Sequence, residues 1–87
     1  MITSVRIVGA GLIGTSVALA LKAEGVEVEV IDQDSAAQML ARDLVQATSI
    51  ENPEVILLAL PVSQIFEVLQ AESSLYPNSI LMDVGST

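Results

Sequence analysis

Val5-Arg6-Ile7-Val8 runs directly into Gly9-Ala10-Gly11-Leu12-Ile13-Gly14. A short β-branched run that stops at a glycine reads as a strand. From Leu12 to Glu24 the periodicity becomes helical. Ile13, Val17, Ala20 and Leu21 fall at i, i+4, i+7 and i+8, one apolar face. Gly25 follows where a helix would need its C-terminal glycine. A strand, a glycine-spaced turn and a helix thus occupy the first part of the chain.

The same alternation continues. Val26 to Ile31 alternates Val and Glu, a second strand near a sheet edge with one face partly wet. Asp34, or Ser35 paired with Gln38 in capping-box spacing, opens a second helix from about Ala36 to Val45. Its expected inner face is Ala37, Leu40, Ala41 and Leu44. Residues 48–52 are mostly polar and read as a turn or a short strand. Val55 to Leu60 is continuously apolar, which suits a strand covered on both faces of a parallel sheet. Val62, Ile65, Phe66 and Leu69 mark a third amphipathic helix, Tyr76-Pro77-Asn78 a turn, and Ile80 to Val84 a last strand. Phe66 and Met82 are expected in the core and Tyr76 at the surface. Strands alternating with helices predict an α/β fold: a doubly wound parallel sheet of the Rossmann type with right-handed crossovers.

In that context the glycine spacing has a chemical meaning. G-x-G-x-x-G between a strand and a helix is the dinucleotide-binding fingerprint. Gly9 permits the tight turn, Gly11 lets a pyrophosphate approach the backbone, and Gly14 lets the helix pack on the strand. The free N–H groups of the opening turn, around Leu12 and Ile13, and the positive end of the helix dipole then hold phosphate without a lysine. Asp32 lies eighteen residues after Gly14, at the end of the second strand. A carboxylate there accepts hydrogen bonds from the adenosine ribose and repels a 2′-phosphate, which favours NAD over NADP. The alternative is that Asp32 only caps a turn. Leu60-Pro61-Val62-Ser63 and Asp83-Val84-Gly85-Ser86 fall at the carboxyl ends of the third and fourth strands, where ligands bind in such sheets. Leu60, Pro61, Ser63, Gly85 and Ser86 are therefore candidate site residues. Ser63 could equally cap the third helix, and Gly85-Ser86 could equally be an ordinary turn.

Composition narrows the function further. Three basic residues face eleven acidic ones, for a net charge of −8, so no phosphate-neutralising basic patch for nucleic acid or an anionic membrane exists. The absence of Cys and His removes disulfides, thiol catalysis and the commonest metal ligand, and no metal site is expected. The apolar run from Ile7 to Leu21 is broken by glycines and too short to span a membrane, which makes a cytoplasmic protein the default.

Three segments together, Val5 to Ser16, Leu58 to Ser63 and Asp83 to Ser86, resemble the prephenate and arogenate dehydrogenases of tyrosine biosynthesis. The resemblance spans nearly the whole chain but only about the first half of that family's Rossmann domain. It implies an NAD(P)-dependent oxidative decarboxylation that yields 4-hydroxyphenylpyruvate or tyrosine. It also implies that Ser86 lies near the nicotinamide and the substrate hydroxyl. The family's catalytic His and its helical substrate and dimerisation domain, which makes a homodimer, come later than residue 87. The usual Val-Lys after the serine motif is replaced by Thr87. Two alternatives stay open: another dehydrogenase of the 3-hydroxyacid type, and a non-enzymatic nucleotide sensor like those of potassium-transport regulators, whose V-I-D-x-D pattern matches residues 30–34.

An apolar fraction of 52% is high for 87 residues, since a chain this short buries only about 60% of its unfolded surface. The sequence therefore reads as a dinucleotide-binding domain cut short. It is expected to associate or to be marginally stable alone, and to lack dehydrogenase activity by itself.

Overall fold

The computed structural model describes residues 1–84. Four strands and three helices alternate along the chain: β1 (Ser4–Val8), α1 (Leu12–Ala23), β2 (Glu27–Ile31), α2 (Ser35–Val45), β3 (Val55–Leu58), α3 (Val62–Leu75) and β4 (Ile80–Asp83). The strands form one parallel sheet in the order β2-β1-β3-β4. Ile7 sits between Val30 of β2 and Leu57 of β3, and Leu57 in turn pairs with Met82 of β4. The chain winds outward from β1 to β2, crosses back to β3 on the other side of β1, and winds outward again to β4. The expected Rossmann-type, doubly wound α/β sheet is present, with its reversal of direction between β1 and β3.

Side-chain alternation sorts the core onto the two faces. Val5, Ile7, Val28, Val30 and Val55 point toward α1 and α2 and pack with Ala18, Ala41 and Val45. Val8, Ile56 and Leu58 point the other way, against Ile65, Val68 and Leu69 of α3. α1 ends in a Schellman motif. Gly25 takes a φ of 82°, its N–H donates to Lys22, and the Val26 N–H donates to Leu21. Asp34 is the N-cap of α2 and accepts from the amides of Ala36 and Ala37. The polar stretch after α2 turns along the outer edge of β2, where the Thr48 N–H donates to the Val28 carbonyl.

Two helices are rotated from the faces expected of them. In α2 the inner positions are Ala37, Ala41 and Val45, while Leu40 and Leu44 are exposed. The small side chains of α2 face the core, and the larger leucines are left outside. In α3 the inward stripe is Ile65, Val68, Leu69 and Glu72, and Phe66 is 70% exposed. Met82 is also exposed, because among the described residues nothing covers that face of β4. Tyr76 packs on the α3-side core rather than standing free at the surface.

The inner stripe of α3 ends on a charged residue. Glu72 is buried beneath the helix and takes Arg6 of β1 in a two-pronged ion pair, Nε to Oε1 at 2.7 Å and Nη2 to Oε2 at 3.2 Å. Arg6 Nη1 reaches Glu29 of β2 at 2.9 Å. The guanidinium also lies 5.1 Å from the centre of the Tyr76 ring, within cation–π range. Burial opposes the charged form of Arg6. The hydrogen bonds and charges of Glu72 and then Glu29 outweigh it and hold Arg6 well above its ordinary range. The face of β2 expected to be partly wet is therefore closed at Glu29, and an ionic cluster ties β2, β1 and α3 together.

Candidate functional site

β1 and β3 are neighbours, and each is followed by a helix that starts just beyond its carboxyl end. The N-cap of α1 is Gly11 and that of α3 is Pro61, neither making a side-chain capping hydrogen bond and neither followed by an acidic residue in the first turn. Two helix N-termini therefore rise from the switch point of the sheet, where ligands of open α/β folds bind. Between them lies a cleft of about 440 Å³ lined by Gly9, Gly11, Asp32, Gln33, Asp34, Ala59, Leu60, Pro61 and Gln64.

The three glycines of the turn are constrained differently. Gly9 has a φ of 115°, and a Cβ there would lie 2.2 Å from the Ala59 carbonyl oxygen. A Cβ on Gly14 would lie 2.0 Å from the Gly9 carbonyl oxygen, so the first turn of α1 rests directly on the end of β1. Gly11 is the opposite case. It has an ordinary φ of −75°, and a Cβ there would meet nothing within 4 Å. Folding demands the first and third glycines. The second leaves open space at the mouth of the helix.

Asp32 leaves the end of β2 and reaches across to this turn. Its Oδ2 accepts the Ala10 N–H at 2.7 Å, and its Oδ1 accepts the Asp34 N–H at 2.8 Å. Asp32 therefore does hold a turn, as its alternative reading had it, and it also faces the cleft.

Of the residues singled out from sequence, Gly9, Gly11, Asp32, Leu60 and Pro61 meet at the cleft. Gly14 is buried beneath it. Leu12 and Ile13 sit in the first turn of α1 with exposed side chains, so only their backbone amides are placed for a phosphate. Ser63 is exposed on the first turn of α3 and does not line the cleft, whereas Gln64 does. Nor does Ser63 cap α3, whose N-cap is Pro61. Gly85 and Ser86 lie outside the described residues. Gln33, Asp34 and Gln64 were not singled out as ligand contacts. Asp34 carried a signal only as a helix cap, and Gln64 carried none, because the turn between β3 and α3 sets its direction.

A second hollow, of about 380 Å³, lies at the amino ends of the strands and is lined by Thr3, Asn52, Glu54, Tyr76 and Asn78 among others. It has no glycine turn and no helix N-terminus, and it is on the side of the sheet opposite to ligand binding. Among the described residues there is no cluster of acidic side chains able to hold a metal, and no helix is long and apolar enough to cross a membrane.

Comparison with known proteins agrees with this geometry. Residues 17–87 match the family model described as prephenate dehydrogenase, nucleotide-binding domain. That match begins after the glycine turn, so the turn is an independent observation. The chain is also similar in structure to Synechocystis arogenate dehydrogenase, with a TM-score of 0.86 and 24% sequence identity over 98% of this chain. It spans 34% of the length of that protein. No curated protein matches the sequence. The family match favours the dehydrogenase reading over a potassium-transport sensor. On the strength of the match over residues 17–87, this chain belongs to the family of prephenate dehydrogenase nucleotide-binding domains.

Proposed function

We propose that this chain binds NAD and forms the nucleotide half of an enzyme that oxidatively decarboxylates prephenate or arogenate. The observation that carries the reading is the convergence of two uncapped helix N-termini, an open Gly11 and the Asp32 carboxylate on one cleft at the switch point. The free amides of the α1 turn suit a pyrophosphate, and they explain how a chain of charge −8 takes a dianion. Asp32 suits the adenosine ribose and opposes a 2′-phosphate, and Asp34 beside it adds to that repulsion. Bound NAD would supply a hydride acceptor. The protein's part is to fix its position and to keep the reacting face free of water. Ser86 is the candidate for a contact near the nicotinamide. The substrate-reading helical domain and the homodimer belong to the whole protein in this proposal, as does dehydrogenase activity.

Titration of NAD and NADP into the chain tests the reading. NAD is expected to bind at least about tenfold more tightly, the effect of roughly 1.4 kcal/mol of repulsion and lost hydrogen bonding. In Asp32→Ala the preference should shrink while NAD binding weakens. Tighter binding of NADP by the unaltered chain would refute the choice of cofactor. Binding of neither would refute the function.

A further inference from the structure

We propose that Asp32 is the latch of the glycine turn and Gln38 its positioning residue, so that the phosphate cradle is set before any ligand arrives. This deepens the dinucleotide reading above and rests on it. Ala10 lies between the first two glycines and has no side chain able to anchor it. Both of its backbone polar groups are nevertheless tied. Its N–H donates to Asp32 Oδ2 at 2.7 Å, and its carbonyl accepts from Thr15 Oγ1 at 3.2 Å.

Asp32 is itself fixed from two directions. Its Oδ1 accepts the Asp34 N–H at 2.8 Å, and its own N–H donates to Gln38 Oε1 at 2.7 Å. Gln38 belongs to α2, so a line of hydrogen bonds runs from α2 through the end of β2 to the turn that follows β1. The hydrogen bond to Ala10 is charge-assisted and therefore among the stronger kinds. Each carboxylate oxygen keeps a second lone pair, so Asp32 can accept ribose hydroxyls without releasing the turn. A glycine turn held in this way loses less conformational freedom when phosphate binds.

The idea makes a prediction opposite in sign to simple charge repulsion. A carboxylate beside a pyrophosphate repels it, so a residue that only reads ribose should, when removed, leave inorganic pyrophosphate binding unchanged or tighter. A latch, when removed, should weaken it.

The experiment compares the unaltered chain with Asp32→Ala and Gln38→Leu. Amide exchange at Ala10, followed by NMR without ligand, should rise roughly tenfold or more in Asp32→Ala, as expected for loss of a hydrogen bond to a charged group. It should rise by less in Gln38→Leu, while exchange at Val28 in the core stays the same. Affinity for inorganic pyrophosphate should fall several-fold in both. Unchanged exchange at Ala10, or tighter or unchanged pyrophosphate binding in Asp32→Ala, would overturn the latch and leave the proposed function standing. An unaltered chain that binds neither NAD nor pyrophosphate would sink the proposed function, while exchange at Ala10 would still decide the latch. Should Asp32→Ala fail to fold, Gln38→Leu carries the same two measurements.

Discussion

Gly14→Ala should lower the stability of the chain by about 3 kcal/mol or more, with a fall in Tm above roughly 12 °C. The added Cβ would lie 2.0 Å from the Gly9 carbonyl oxygen, and neither partner in that clash is a flexible side chain. The α1 backbone would have to lift from the end of β1, opening the core around Ala18. Gly9→Ala should cost as much, since its Cβ would meet the Ala59 carbonyl at 2.2 Å and its φ of 115° disfavours any L side chain. Against a total stability of about 4–13 kcal/mol for a domain of this length, either change removes a large share. Gly11→Ala supplies the contrast. Its Cβ meets nothing, so stability should change by less than about 1 kcal/mol. Affinity for NAD should nevertheless fall about tenfold or more, because the methyl occupies the space a pyrophosphate needs. Thermal melts and NAD titrations of the three variants separate the two roles. Equal stability losses at all three positions would contradict the assignment.

Removing Arg6 should be comparably severe. Arg6→Met keeps the approximate length of the side chain but leaves Glu29 and Glu72 buried together without a counter-charge. Breaking a buried pair by taking one partner costs about 3–5 kcal/mol. Replacing all three residues by apolar ones of similar size should cost little, or even stabilise by about 1–4 kcal/mol, because no charge then needs desolvation. Denaturant unfolding of the single and triple variants measures the difference. A triple variant as unstable as Arg6→Met would show that the cluster does more than neutralise itself. The cluster also joins three elements. Arg6 is central in β1, Glu29 is on the edge strand and Glu72 is near the end of α3.

That cluster also marks where local sequence pattern stops determining the packing. Strand and helix order is legible because the helices carry a period near 3.6, the strands are short apolar or alternating runs, and Gly, Pro or Asp bounds most of them. The orientation of α3 is not, because apolar spacing alone selects Val62, Ile65, Phe66 and Leu69. The real inner stripe ends on a charged residue, Glu72, whose partner is 66 positions away in sequence. The orientation of α2 departs from its apolar spacing too. Leucine is the better core residue by hydrophobicity, but Ala37, Ala41 and Val45 take the inner positions and Leu40 and Leu44 are exposed. At the cleft, the glycine spacing and Asp32 can be located from sequence because each falls directly after a strand whose end the pattern marks. Gln38 has capping-box spacing from Ser35, yet its side chain accepts the Asp32 N–H. Spacing places the residues of the β3–α3 turn near the cleft but does not tell Ser63, which is outside the cleft lining, from Leu60, Pro61 and Gln64, which belong to it.

The central claim is that the switch-point cleft holds a dinucleotide. Amide chemical shifts of the labelled chain, followed while NAD is added, test it most directly. The account predicts saturable shifts at Gly9 to Gly14, at Asp32 and Asp34, and at Leu60 to Gln64 excluding Pro61, with none at Thr3, Asn52 or Asn78. Shifts confined to that opposite end of the sheet, or no saturable shifts at all, would contradict it.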